Sequence, residues 1–190
     1  MLILASQSPR RQELMGQIGL TFTVRVADID ETMDPRDDAA TAVGKVSAKK
    51  AAAIAATADA EDVIVAADTI VVIDGEILGK PHSTEEAKAM LRRLSGRTHR
   101  VMTGVTVACG DRKETVTEIT EVTFRPLSET EIDTYVATGD PMDKAGSYGV
   151  QGLAAAFVEK LNGDYFNVMG LPLCRLGKML RQFHVTVLGE

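Results

Sequence analysis

The run Val63-Ile64-Val65-Ala66-Ala67-Asp68-Thr69-Ile70-Val71-Val72-Ile73 constrains the fold more than any other stretch. Its β-branched content predicts a buried strand over 63–73. Asp74-Gly75 follows at once, the turn chemistry of a type I′ hairpin, and returns the chain through Glu76-Ile77-Leu78. Helical patterns alternate with strands elsewhere, so the fold class is α/β, and the hairpin makes the sheet mixed and not purely parallel. One residue breaks the run. A carboxylate inside a buried strand is costly unless it is paired or bound to metal, and Asp68 is such a carboxylate. An aspartate capping a sheet end or paired with one Arg is the purely structural explanation; a metal ligand or general base is the functional one, and it carries more weight.

The remaining elements follow from periodicity and punctuation. Leu2 to Ala5 is a short buried strand, and Phe22 to Ile29 a second candidate. Residues 39 to 58 form an Ala-rich helix. Ser83-Thr84-Glu85-Glu86 and Ser128-Glu129-Thr130-Glu131 are capping boxes that open two further helices, the second stopped by Gly139. Strands are expected over His99 to Cys109, Thr115 to Phe124 and Phe157 to Leu161, then a helix from Pro172 to Phe183 and a closing strand from Val185 to Leu188.

At 190 residues, 45% hydrophobic and 25% charged, the chain suits one domain over 1–190, or two small lobes sharing a core. A formal net charge of −6 argues against a nucleic-acid polymer or an anionic membrane as partner. Any anion site must therefore be local. The apolar runs are too short to span a bilayer, no basic region precedes the N-terminal one, and Cys109 and Cys174 form no CxxC or zinc pattern. A cytoplasmic protein with reduced thiols is expected.

Several charges sit where local rules disfavour them. Ser8 is a natural N-cap with Pro9 at the first helical position, so Arg10 and Arg11 stack on a helix end that already carries about half a positive charge. Taken alone, removal of Arg11 would relieve repulsion there. Lys50 falls on the apolar stripe Val43, Val46, Ile54 of the Ala-rich helix, where snorkelling is the ordinary explanation. Pro81 holds Lys80 extended, and Asp28, Asp30 and Glu31 cluster after the second strand candidate. Lys144-Ala145-Gly146-Ser147-Tyr148-Gly149-Val150-Gln151-Gly152 is glycine-rich yet matches neither common nucleotide fingerprint. No Ser-His-Asp order, GxSxG or HExxH is present, which disfavours a side-chain nucleophile. Scattered cations with hard carboxylate ligands form the inventory for a polyphosphate and a divalent metal, and the paired arginines await a phosphate chain.

Six segments in order resemble the Maf family of nucleoside triphosphate pyrophosphatases: Ser6 to Leu14, Asp30-Glu31-Thr32, Ala67-Asp68-Thr69, Gly79-Lys80-Pro81, Leu94 to Val105 and Lys144 to Gly152. The resemblance implies an elongated, curved mixed β-sheet flanked by helices, with two lobes around a central cleft, as in Maf- and ITPase-like folds. It implies hydrolysis of a nucleoside triphosphate to the monophosphate and pyrophosphate with a divalent metal cation, Mg²⁺ or Mn²⁺, by a cytoplasmic homodimer. Asp68 is then the catalytic base, Ser6, Arg11, Lys50 and Lys80 hold phosphates, and Glu31 joins Asp68 at the metal. Arg10, Thr69 and Gln151 stand where one branch, resembling 7-methyl-GTP pyrophosphatases, tends to carry Trp, Gln and Glu. They look like the branch acting on dTTP and UTP. The alternatives are a 7-methyl-GTP pyrophosphatase and a nucleotide-binding regulator of cell division with little turnover.

Overall fold

A computed structural model describes residues 1–26 and 28–189 of the chain. The strands are β1 (Leu2–Leu4), β2 (Thr23–Val24), β3 (Val63–Ile73), β4 (Glu76–Leu78), β5 (Thr98–Cys109), β6 (Arg112–Phe124) and β7 (Val158–Asn162). The helices are α1 (Pro9–Gln17), α2 (Ala39–Ala55), α3 (Thr84–Leu94), α4 (Glu129–Ala137), α5 (Tyr165–Met169) and α6 (Leu173–Gln182). The seven-stranded sheet runs β2-β1-β3-β5-β6-β7, with β4 attached to β3. β1 lies parallel to β2 and β3, with Leu4 opposite Val24 and Val65, while β4 is antiparallel to β3 and β7 to β6. The sheet is therefore mixed, as the hairpin requires. No helix among the described residues is long and apolar enough to cross a membrane.

The chain packs into two compact units, one of Met1–Asp68, Thr103–Glu118 and Gly170–Glu190, the other of Thr69–Met102 and Ile119–Met169. In the first, Ile3, Ala5, Ala51, Ile54, Ile64, Ala66 and Ala108 form one apolar cluster. The Ala-rich face brings α2 close to its strands, and Gly104 closes the gap further. A Cβ on Gly104 would fall 2.6 Å from the carbonyl oxygen of Val43, so the helix rests there on bare backbone. The buried hydroxyls of Ser47 and Thr106 are satisfied: Ser47 Oγ lies 2.8 Å from Thr106 Oγ1, which is 2.9 Å from Oγ1 of the exposed Thr115.

In the second unit Asp74 (φ 54°) and Gly75 (φ 78°) both take the left-handed conformation a type I′ turn demands. Arg93 and Arg97 hold this turn, donating to Glu76 and Asp74 respectively at 2.6 Å each. Both expected capping residues cap. At α4 Ser128 and Glu131 satisfy each other reciprocally, whereas at α3 the Glu86 carboxylate accepts from the amide of His82, one residue ahead of the cap.

His99 is buried in this unit at 1% exposure, edge-on to Phe124 with 5.0 Å between ring centroids. Burial pushes its pKa from 6.5 down to about 4. The unfolded chain takes up a proton near pH 6.5 and the folded chain does not until about pH 4, so stability is fully present above pH 6.5 and is lost on acidification through that window. A shift of this size is worth about 3 kcal/mol. Urea midpoints measured from pH 7 to pH 4 should fall less steeply for His99→Gln than for the parent; equal slopes would show that His99 does not stay neutral.

Two strand expectations fail. Val185 to Leu188 is no strand: the Val185 amide closes the end of α6 on the Leu180 carbonyl at 3.0 Å, and His184 (φ 59°) and Leu188 (φ 62°) are left-handed. The candidate Phe22 to Ile29 shrinks to Thr23–Val24, because β1 is only three residues long and offers partners to those two alone; Ala27 lies outside the described residues. The Ala-rich helix also stops at Ala55 and not at 58.

Candidate active site

The first unit holds six of the expected site residues, Arg10 among them, half-buried on α1. Ser6 lies just past the end of β1, 8% exposed, and its Oγ accepts from the Ser8 amide at 3.2 Å and from an Arg11 guanidinium nitrogen at 3.3 Å. Ser8 caps α1 by accepting from the Arg11 amide, so one turn of chain fixes both ends of the Ser6–Arg11 contact. Arg11 Nε also donates to the Gly170 carbonyl at 2.8 Å. Burial lowers the pKa of Arg11, the adjacent Arg10 adds to that push, and the carboxylates of Asp68 and Glu31 oppose it.

Lys50 does not snorkel. Its position on the apolar stripe of α2 brings Nζ to 2.8 Å from Asp68 Oδ1 in β3 and 3.1 Å from Glu31 Oε1. The Lys50 and Asp68 side chains are 12% and 15% exposed, that of Glu31 56%. Asp68 is thus paired, with a lysine and not with the arginine of the structural explanation. Asp30 turns instead to the Thr32 amide at 2.9 Å. Among the described residues no group of three or more His, Cys, Asp or Glu side chains could hold a metal ion.

Thr69, Lys80 and Gln151 belong to the second unit. Thr69 is half-buried on β3, while Lys80 and Gln151 are exposed on the segment after β4 and on the glycine-rich loop. That loop is no helix: Ala145–Ser147 makes a single 3-10 turn with Gly146 at φ 70°. Its Gly146 amide donates at 3.1 Å to the Gly79 carbonyl, directly before Lys80.

Residues 1–183 match the family described as Maf-like protein. The chain belongs to the Maf family. Relatives of this Maf chain include a dTTP/UTP pyrophosphatase of Symbiobacterium thermophilum, 51% identical over 96% of this chain and 93% of that protein. Another of that name, from Bacillus pumilus, is 48% identical over 97% of each. Among solved structures, the Ham1 protein of Staphylococcus aureus superposes with a TM-score of 0.56 over 95% of this chain and 98% of that one. At 13% identity that likeness concerns the fold alone. The Maf segments Ser6 to Leu14, Asp30 to Thr32 and Ala67 to Thr69 carry the Ser6, Arg11, Glu31 and Asp68 just described. Gly104, from the segment Leu94 to Val105, instead seats α2. Gly170 escaped the sequence reading, because a backbone carbonyl leaves no residue-type signal.

Proposed function

We propose that the chain hydrolyses dTTP and UTP to the monophosphate and pyrophosphate. The observation that carries this reading is the convergence of Asp68 and Glu31 on Lys50, within electrostatic reach of Arg11. Curated relatives at 46–51% identity named dTTP/UTP pyrophosphatase support it.

The residues fit a divalent cation. Asp68 and Glu31 already meet on one positive centre, and two carboxylates completed by phosphate oxygens and water are what Mg²⁺ or Mn²⁺ takes. When bound, the ion polarises the phosphoryl group and offsets its charge. The chain supplies the rest. Asp68 accepts the proton of the attacking water, and Lys50, one hydrogen bond away, holds that carboxylate in place and neutralises phosphate charge. Arg11, backed by Ser6, grips the polyphosphate with a planar fork, and Lys80 adds a point charge. Water adds at the α-phosphorus, its bond to the bridging oxygen breaks, and pyrophosphate leaves. No protein nucleophile is required. The reading takes residues 1–190 as one Maf-like domain acting in the cytoplasm as a homodimer.

Base choice follows from Arg10, Thr69 and Gln151. A cationic methylated guanine suits stacking on Trp and a carboxylate partner, and this chain has no Trp. The Gln151 amide can donate to and accept from the carbonyl and N–H edge of uracil or thymine. Across a triphosphate panel, kcat/KM for dTTP and UTP should exceed that for 7-methyl-GTP by at least ~10-fold. The opposite order would reassign the substrate, and no pyrophosphate from any triphosphate with Mg²⁺ or Mn²⁺ would leave a binding protein.

A further inference from the structure

Four consecutive residues of the glycine-rich loop are each pinned to a different part of the second unit. The Gly146 amide holds the Gly79 carbonyl at 3.1 Å, and a Cβ on Gly146 would fall 2.7 Å from Cγ2 of Val71 in β3. Ser147 is also left-handed (φ 63°) and 0% exposed, its Oγ 3.0 Å from the Met90 sulfur of α3. The Tyr148 hydroxyl lies 2.7 Å from His99 Nε2, with its ring edge-on to Phe124 at 4.7 Å. The Gly149 amide donates at 3.2 Å to the Tyr135 hydroxyl, which itself donates at 2.6 Å to Asp140 Oδ2. Two left-handed residues in succession, one of them a serine, form a strained path that survives only where the surroundings over-determine it. A turn that merely joined two elements would need none of this. What these contacts hold is specific: on one side the peptide that leads into Lys80, on the other the short stretch that ends at Gln151.

We propose that residues 146–149 are a rigid strut that fixes the backbone ahead of Lys80 relative to Gln151. Gly146 and Tyr148 are then positioning residues for the phosphate-holding lysine and the base-reading amide. The inference rests on the proposed pyrophosphatase reading. It accounts for the left-handed pair Gly146 and Ser147, and it joins recognition of the base to recognition of the phosphates through one backbone hydrogen bond, Gly146 to Gly79.

The test is a double-mutant cycle on the full chain with dTTP and Mg²⁺. In the parent, Lys80→Ala should lower kcat/KM by ~10²-fold. In a Gly146→Ala background, where the lysine is already displaced, the same change should cost less than ~10-fold, a non-additivity that lost stability alone does not produce. Tyr148→Phe removes one hydroxyl and keeps the ring. It should raise KM more than it lowers kcat, and should narrow the preference for dTTP over 7-methyl-GTP. Melting curves establish that each variant is folded, and if Gly146→Ala does not fold, the cycle is run with Tyr148→Phe. A full ~10² loss from Lys80→Ala in folded variants of both backgrounds overturns the strut and leaves the pyrophosphatase standing. No loss from Lys80→Ala in the parent overturns the phosphate role of Lys80, and the strut with it.

Discussion

Asp68→Asn is expected to stop pyrophosphate release while the protein stays folded. The amide has the shape of the carboxylate, and its oxygen can still accept the Lys50 hydrogen bond that spans 2.8 Å. What disappears is the negative charge and the basicity, the two properties that abstraction of a proton from water and cation binding both need. Loss of a positioned general base is worth ~10²- to 10⁴-fold. Stability should fall modestly, because Glu31 at 3.1 Å still offsets the Lys50 ammonium. Initial rates of pyrophosphate formation from dTTP and a melting curve decide the matter. A folded Asp68→Asn protein with near-parental turnover would remove Asp68 from the chemistry and leave the Lys50–Asp68 contact as an ion pair.

Arg11→Ala should be nearly as damaging, and it should also lower the melting temperature. If the guanidinium grips the polyphosphate, its removal forfeits ~2–4 kcal/mol of transition-state stabilisation, read as a fall in kcat/KM. Charge at the start of α1 argues for a gain in stability of ~0.3–1 kcal/mol on deletion. The structure reverses that sign. Arg11 Nε satisfies the Gly170 carbonyl at 2.8 Å and another of its nitrogens reaches Ser6 at 3.3 Å, and leaving a carbonyl unpaired costs ~1–3 kcal/mol. A net loss near ~1 kcal/mol corresponds to about 2–4 °C in a chain of this size. Arg11→Lys should keep part of the affinity and none of the fork geometry. An Arg11→Ala protein that melts low but turns over normally would make the arginine a structural clip.

What the sequence disclosed depended on whether the signal was local. β3 and β4 match their expected bounds residue for residue because Asp74-Gly75 leaves one way to join them. The starts of α3 and α4 are marked by serines that cap them. Lys50 was suspect because helical period placed it on an apolar face, and the structure supplies the reason in two carboxylates. Pairings across the fold were not legible. Nothing in the chain says that Lys50 and Asp68, 18 positions apart, share a hydrogen bond, or that Gly170 receives Arg11 from 159 positions away. Val185 to Leu188 misled because an apolar run reads as a strand whether or not a partner edge exists. Gly146 and Gly104 were visible as glycines, but what a side chain would strike is a property of the packed chain.

The seat of α2 on Gly104 has a mechanical consequence. Side-chain contacts yield, since rotamers can shift and a helix can slide on them by fractions of an ångström. At Gly104 the Val43 carbonyl and the Gly44 Cα meet bare strand backbone, which has no rotamer to give. Lys50 lies about two turns further along the same rod, some ~10 Å at 1.5 Å per residue. A stiff bearing that near on the helix leaves the Lys50 backbone little play, and Asp68 and Glu31 hold the ammonium beyond it. The precision of that backbone is thus set at a distance, by an atom that position 104 does not have.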